Sequence, residues 1–208
     1  MDMFTPELLF DLSRFPYPHL FKKGKPAWRA IQELSLFLQS LPLGNIEAEL
    51  EPGVHVVHPE LISIGKGTRV ESGAYIVGPC WIGQNCQIRH GAYLRGQVLV
   101  CDQAVIGHAT EVKNSIFMHQ AHAGHFAYVG DSILGNFVNL GAGTKCANLR
   151  FDKQIIKVEN FETGMKKMGA ILGDYVQTGC NVVTNPGTIM LPHTTAIPCS
   201  FVKGVISK

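Results

Sequence analysis

The chain has 208 residues, 18 of them basic and 16 acidic, for a formal net charge of +2. That balance supplies no dominant field for a nucleic acid or an anionic membrane surface. Twenty-two glycines and only 16% charged residues suit a backbone that bends often; no apolar run is long enough to cross a bilayer and no leader pattern opens the chain, so a cytoplasmic protein is expected.

Residues 1–52 carry no obvious repeat. Pro6 opens a short helix expected to end near Arg14, and Pro16 to Pro26 reads as an extended loop. From Pro26 to Leu41 the apolar residues Trp28, Ile31, Leu34, Leu36, Phe37 and Leu41 fall at helical spacing. This amphipathic helix is expected to cap the open end of the remaining chain, since repeat arrays need an atypical end unit.

The remaining chain is such an array. Ile64, Val70, Ile76, Ile82, Ile88, Leu94, Val100, Ile106, Val112 and Met118 stand six residues apart without a miss. The fourth residue after each anchor is small or apolar, from Thr68 and Ala74 through Cys80, Cys86, Ala92, Val98, Ala104 and Thr110 to Ile116. A six-residue period is neither helix nor ordinary strand. It marks a parallel β-helix in which each hexad supplies one short strand and one bend. Residues 53–208 are therefore expected to form one all-β domain behind the helical cap.

The phase then slips by four residues, to His122, Tyr128, Leu134, Leu140 and Cys146, with Phe126, Ser132, Val138 and Thr144 behind them. Such a slip predicts a loop pushed out on one side. The period stops near Leu149, and residues 150–167 read as a longer excursion, a small hairpin. It resumes at Leu172 and runs through Thr178, Thr184, Met190 and Ala196 to Val202. The cysteines form no C-x-x-C pair, and Cys80 and Cys86 occupy interior positions as small apolar residues.

A regular face of such a coil offers little chemistry, so the slip and the excursion are the places to look. His119, His122 and His125 cluster there, with Lys113 before them and Tyr128, Asn139 and Asn148 after. Histidine suits general-base work near neutral pH and also ligates zinc; both readings stay open on the cluster alone. Arg95 and Lys113 are three hexads apart, so a triangular coil stacks them on one edge, where they suit a phosphate or stand as solvated surface cations.

The segment GHATEVKNSIFMHQAHAGHFAYVGDSILGNFVNLGAGTKCANLRFD, followed by ETGMKKMGAILGD, resembles the acetyltransferase half of the bifunctional N-acetylglucosamine-1-phosphate uridylyltransferase/glucosamine-1-phosphate acetyltransferase family. It looks most like the C-terminal domains of the related sugar-1-phosphate nucleotidylyltransferases, over roughly residues 60–205. The resemblance implies a left-handed β-helix working as a homotrimer, with sites between neighbouring subunits. It implies acetyl transfer from acetyl-CoA to the amine of glucosamine-1-phosphate, with no metal required. By motif position His125 matches the catalytic base and Asn148 the asparagine near the acetyl group. Arg95, Lys113, Tyr128, Asn139 and Lys167 match the residues that hold the sugar phosphate. Ala142, Cys180 and Cys199 match positions along the coenzyme. In the implied mechanism, N–H groups around Gly141–Gly143 and the Asn148 side chain stabilise the oxyanion.

Three differences accompany the match. The first 50 or so residues are too few for a nucleotidylyltransferase domain and carry no glycine-rich nucleotide loop, so no uridylyl transfer is expected. The excursion at 150–167 is longer, and the sequence stops without the family's basic coenzyme contact. The competing readings are a trimeric scaffold or sugar-phosphate sensor that keeps the site without catalysis, acyl transfer to another sugar, and a zinc enzyme on the same fold.

Overall fold

The computed structural model describes residues 4–207. From Ile46 onward the backbone winds as a parallel β-helix with three flat walls of eight strands each. Wall I runs from Glu49–Leu50 to Thr195–Ala196, wall II from His55–Val57 to Phe201–Val202, and wall III from Ile62–Ile64 to Val205–Ile206. Every strand pairs in parallel with its equivalent one coil later. The bridge Ile46↔Ile64 places the first coil ahead of residue 53. That coil pairs Ile46 with Ile64, Leu50 with Val70 and Val56 with Ile76, so its irregular spacing conceals the period there.

The hexad anchors from Ile64 to Val112 all point inward and are buried, and Cys80, Cys86 and Cys146 share that interior. Burial of such a column, at about 25 cal/mol per Å² of apolar surface, holds the coils in line. Met118 departs from the expected register. It is buried on the outside of wall III, and Phe117 takes the interior place. Ala123, Val129 and Ala127 likewise fill the interior, whereas His122, Tyr128 and Phe126, expected inside, turn outward. Leu134, Leu140 and Cys146 keep the expected phase.

No loop absorbs the slip. Val105 pairs with Gln87, eighteen residues back, but with His122, only seventeen ahead. One residue is missing between Val112 and Ser115, and another between Val129 and Ser132, relative to the Leu94–Val98 turn. Both losses fall on the edge between walls II and III. The excursion leaves from the same edge one coil later, after Cys146, and rejoins wall III at Ala170. It forms the expected hairpin, Lys157–Val158 against Phe161–Glu162, antiparallel.

The N-terminal arm covers a side of the coil and not its end. The helix Arg29–Ser40 buries Ala30, Ile31, Leu34 and Leu38, and Pro6–Leu9 forms a single helical turn followed by a separate turn at Leu12–Arg14. Phe4, Leu9, Phe15, Trp28 and the helix pack on the outward residues Leu99, Ile116, Met118, Ile133, Ile171 and Ile189 of wall III, together with Ile156, Val158 and Met168 of the excursion. The outward positions of wall III are apolar, and that is what draws the helix to it. The Asp174 carboxylate fixes the arm by accepting from the N–H of Asp11 and of Asn136, both at 2.7 Å, while Asp174 N–H donates to Leu9 O at 2.9 Å. Walls I and II stay open. Among the described residues no helix is long and apolar enough to cross a membrane.

Candidate functional site

The edge between walls I and II carries two aligned columns. Because Ile88, Ile106, Ala123, Leu140 and Thr178 are register partners on successive coils, the residues after them stack as Arg89, Gly107, Gly124, Gly141 and Gly179. The next column is His90, His108, His125, Ala142 and Cys180. At Gly107 glycine is needed for close approach, because a side chain there would collide with the Gly124 carbonyl. Above Gly124 the space is empty. Gly124 and Gly141 form the floor of a hollow of about 600 Å³ on wall I, bordered by His122, His125, Asn139, Ala142 and Cys180.

His125 ends the strand His122–His125 and is exposed at the hollow's rim. Below it, the His90 and His108 rings stack at 5.5 Å and 13°, and each Nδ1 meets a carbonyl one coil down, His90 with Ser72 O at 2.6 Å and His108 with His90 O at 2.9 Å. A carbonyl can only accept, so both Nδ1 atoms carry the proton. The His122 pKa is lowered, first by burial and also by the charge of Arg89. His119 stands across wall I, on its opposite edge, edge-on to Phe137 at 5.6 Å. The three clustered histidines therefore do not converge.

Of the expected oxyanion donors, two N–H groups are spent inside the coil: Gly141 donates to Thr178 O and Gly143 to His125 O, both at 2.9 Å. The Ala142 N–H between them has no partner among the described residues. Cys199 lies one coil beyond Cys180, its N–H donating to Cys180 O at 2.8 Å, and both thiols are exposed.

The remaining expected residues gather on wall II and its edge with wall III, around a carboxylate that the sequence pattern did not single out. Asp131 is 3% exposed and accepts from Lys113 Nζ at 3.1 Å, Asn114 Nδ2 at 2.8 Å and Asn148 Nδ2. Asn114 and Asp131, in the two shortened turns, both have positive φ. Tyr128 lies against Asn148, and burial, followed by the charge of Asp131, raises its pKa. Arg95 stacks under Lys113 as the spacing predicts, but its Nη1 is 2.6 Å from Glu111 Oε1. Both cations of the expected phosphate pair thus hold acidic partners. Lys167 is exposed and returns beside this cluster, through the bridge Leu149↔Lys167 and the bond from Met168 N–H to Asn148 O.

The site residues therefore fall on two sides of wall II: His125, Asn139, Ala142 and Cys180 at the hollow on wall I, and Lys113, Tyr128, Asn148 and Lys167 toward the edge with wall III. The glycine column was not singled out in sequence, because the shortened turns place Gly107, Gly124 and Gly141 seventeen residues apart and out of the hexad phase. Asp131 carried no comparable signal, because its role comes from the lost residues that bring Lys113, Asn114 and Asn148 around it.

A bifunctional sugar-1-phosphate nucleotidylyltransferase/acetyltransferase of Sulfurisphaera tokodaii is 37% identical over 187 residues, which cover 86% of this chain and 45% of that protein. A putative uncharacterized acetyltransferase YaiX of Escherichia coli is 36% identical over 141 residues, 66% of this chain and 61% of its own. The chain thus spans less than two thirds of either relative. Among solved structures, a UDP-N-acetylglucosamine acyltransferase from Campylobacter jejuni aligns over 77% of this chain and 68% of its own at 14% identity, with a TM-score of 0.35. A family model described as the GMPPB C-terminal domain matches residues 76–202, a span holding most of the three walls, the hollow and the Asp131 cluster. The chain belongs to that family.

Proposed function

We propose that the chain transfers acetyl from acetyl-CoA to the amine of an amino-sugar 1-phosphate such as glucosamine-1-phosphate, as a homotrimer with sites between neighbouring subunits. The observation that carries this reading is His125, exposed at the rim of a polar hollow whose floor is bare backbone. The relatives' acetyltransferase names agree with it.

An ammonium cannot attack a thioester, so the amine must first lose a proton, and His125 takes it as general base. The Ala142 N–H is the backbone donor left free to meet the oxyanion, and Asn148 of a second copy supplies an amide. Cys180 and Cys199 border the path of the coenzyme. Tyr128, Asn139, Lys113, Arg95 and Lys167 hold the sugar and its phosphate, the two paired cations sharing their charge with Asp131 and Glu111. Much of the rate gain comes from holding the amine against the thioester carbon. A second copy packed along the open walls would close the site, and closed cyclic symmetry is the usual way to do so.

The test is thiol release from acetyl-CoA with a panel of amino-sugar 1-phosphates and their unphosphorylated forms. His125→Ala is expected to lower the rate by about 10²–10⁴-fold with fold and mass unchanged, and His119→Ala to be far milder. No turnover with any amino sugar by the wild type would favour a scaffold or sensor. A monomeric mass by light scattering would remove the inter-subunit site.

A further inference from the structure

Cys180 and Cys199 are the two exposed cysteines among the described residues, and the other four are buried. Beside the column His90, His108, His125, Ala142 and Cys180 runs another, made of Ala109, Phe126, Gly143, Asn181 and Cys199, all at positive φ. From Phe126 onward each N–H of this column donates to the carbonyl one coil below: Phe126 to His108 and Asn181 to Ala142 at 2.8 Å, Gly143 to His125 at 2.9 Å, and Cys199 to Cys180 at 2.8 Å.

The last of these bonds limits how far apart the two cysteines can be. With standard backbone dimensions, the path from Cys180 Cα through its carbonyl and the hydrogen bond to Cys199 Cα is at most about 6.7 Å. A disulfide bridges Cα atoms up to about 6.8 Å apart. His108 and Phe126 hold the same two places on earlier coils, joined by the same N–H to carbonyl bond. Their rings meet edge to face at 5.2 Å and 77°, so side chains at these two places reach one another across the edge. Exposed disulfides of this kind are the labile ones, easily made and reduced.

We infer that Cys180 and Cys199 are a redox pair that closes to a disulfide by exchange with a low-molecular-weight disulfide and so gates the coenzyme path. One cysteine thiolate attacks a sulfur of the small disulfide, forming a mixed disulfide and releasing the first small thiolate. The other cysteine then attacks the protein-side sulfur, which closes the bridge and releases the second. The pair loses two electrons, the small disulfide gains them, and the two cysteine protons end on the two small thiols. The bridge lies one coil beyond Ala142, at the border of the hollow, and ties both side chains so that neither turns aside for the coenzyme. The gating rests on the acyl-transfer reading; the redox pair itself does not.

Two measurements test it. No lysine or arginine stands between Lys167 and Lys203, so trypsin releases both cysteines in one peptide. After the reduced full chain is treated with oxidised glutathione, that peptide should be lighter by two hydrogens and carry no glutathione. In Cys180→Ser and in Cys199→Ser the remaining thiol should keep one glutathione, because no second thiol displaces it. Two glutathiones on the wild-type peptide, or two thiols still free, overturn the pair. By calorimetry the oxidised wild type should bind acetyl-CoA at least about tenfold more weakly than the reduced form, and dithiothreitol should restore binding. Equal binding by the two forms overturns the gate. If neither form binds acetyl-CoA yet the bridge still closes, the redox pair stands, and the gate and the acyl-transfer reading fail together.

Discussion

Replacing Asp131 by asparagine tests how the shortened turns are held. The carboxylate side chain is 5% exposed and that of Lys113 22%. Three donors, on Lys113, Asn114 and Asn148, converge on it. Asparagine keeps the shape but has one accepting oxygen, and its own amide nitrogen must then face a donor. Removing one partner of a buried ion pair costs about 3–5 kcal/mol. Lys113 reaches solvent in part and can be rehydrated, so about 2–3 kcal/mol is the expected loss. In a chain of this size that lowers the melting temperature by roughly 5–10 °C. Thermal and urea unfolding followed by circular dichroism give the number, and Lys113→Met with the double variant isolates the pair. The charge also helps to raise the Tyr128 pKa. In the variant that tyrosine should ionise at lower pH, though still above an ordinary tyrosine, because burial is the larger cause. A melting temperature within about 1 °C of wild type, with an unchanged tyrosine titration, would refute the cluster as a structural clamp.

Gly107→Ala should be severely destabilising, because a methyl there meets the Gly124 carbonyl, while Gly124→Ala points into open space and should fold normally yet impair ligand binding in the hollow; parallel urea melts and calorimetry separate the two. In the native protein a thiol reagent should find two cysteines, Cys180 and Cys199, and the other four only on unfolding; burial pushes Cys80 to about 12 and Cys86 and Cys146 to about 11, keeping them protonated and inert. His122 is held below its ordinary 6.5, so as pH falls through 6.5 the unfolded chain takes up that proton before the fold does. Stability is therefore fully present above pH 6.5 and is lost as pH drops through the folded pKa. His122→Gln should resist acid better than wild type, as read by urea midpoints at pH 7.5 and 5.

The interior of the coil was legible because a six-residue period survives any surface chemistry. Nine anchors from Ile64 to Val112 fix it. The pattern misled where two single-residue losses looked like one four-residue slip. With small residues such as Ala123 and Ala127 inside, a hydrophobicity pattern prefers the neighbouring Phe126 and Tyr128, which are larger and outward. The arm helix was legible from its own spacing, but its place was not. Only the assembled wall III shows that Leu99, Ile116, Ile133, Ile171 and Ile189 form a continuous apolar strip needing cover. The motif residues were found, yet their partners were not: Glu111 and Asp131 are ordinary acids in sequence and become counter-ions only when the coils stack.

The arm changes how the molecule comes apart. A stack of coils touching only their neighbours can fray from either end, since its stability is a sum of local steps. Here one strap crosses the stack from Leu99 to Ile189 and is pinned through Asp11 to Asp174, far along the chain. Loosening a coil under the strap also uncovers the strap, so the coils between these points should open together as one cooperative unit. During synthesis the strap emerges before the coils it covers, yet the last part of its seat is made only when Ile189 has been wound in. Until then its apolar face has nowhere complete to rest, and the closing of the final coils is what locks the earlier ones.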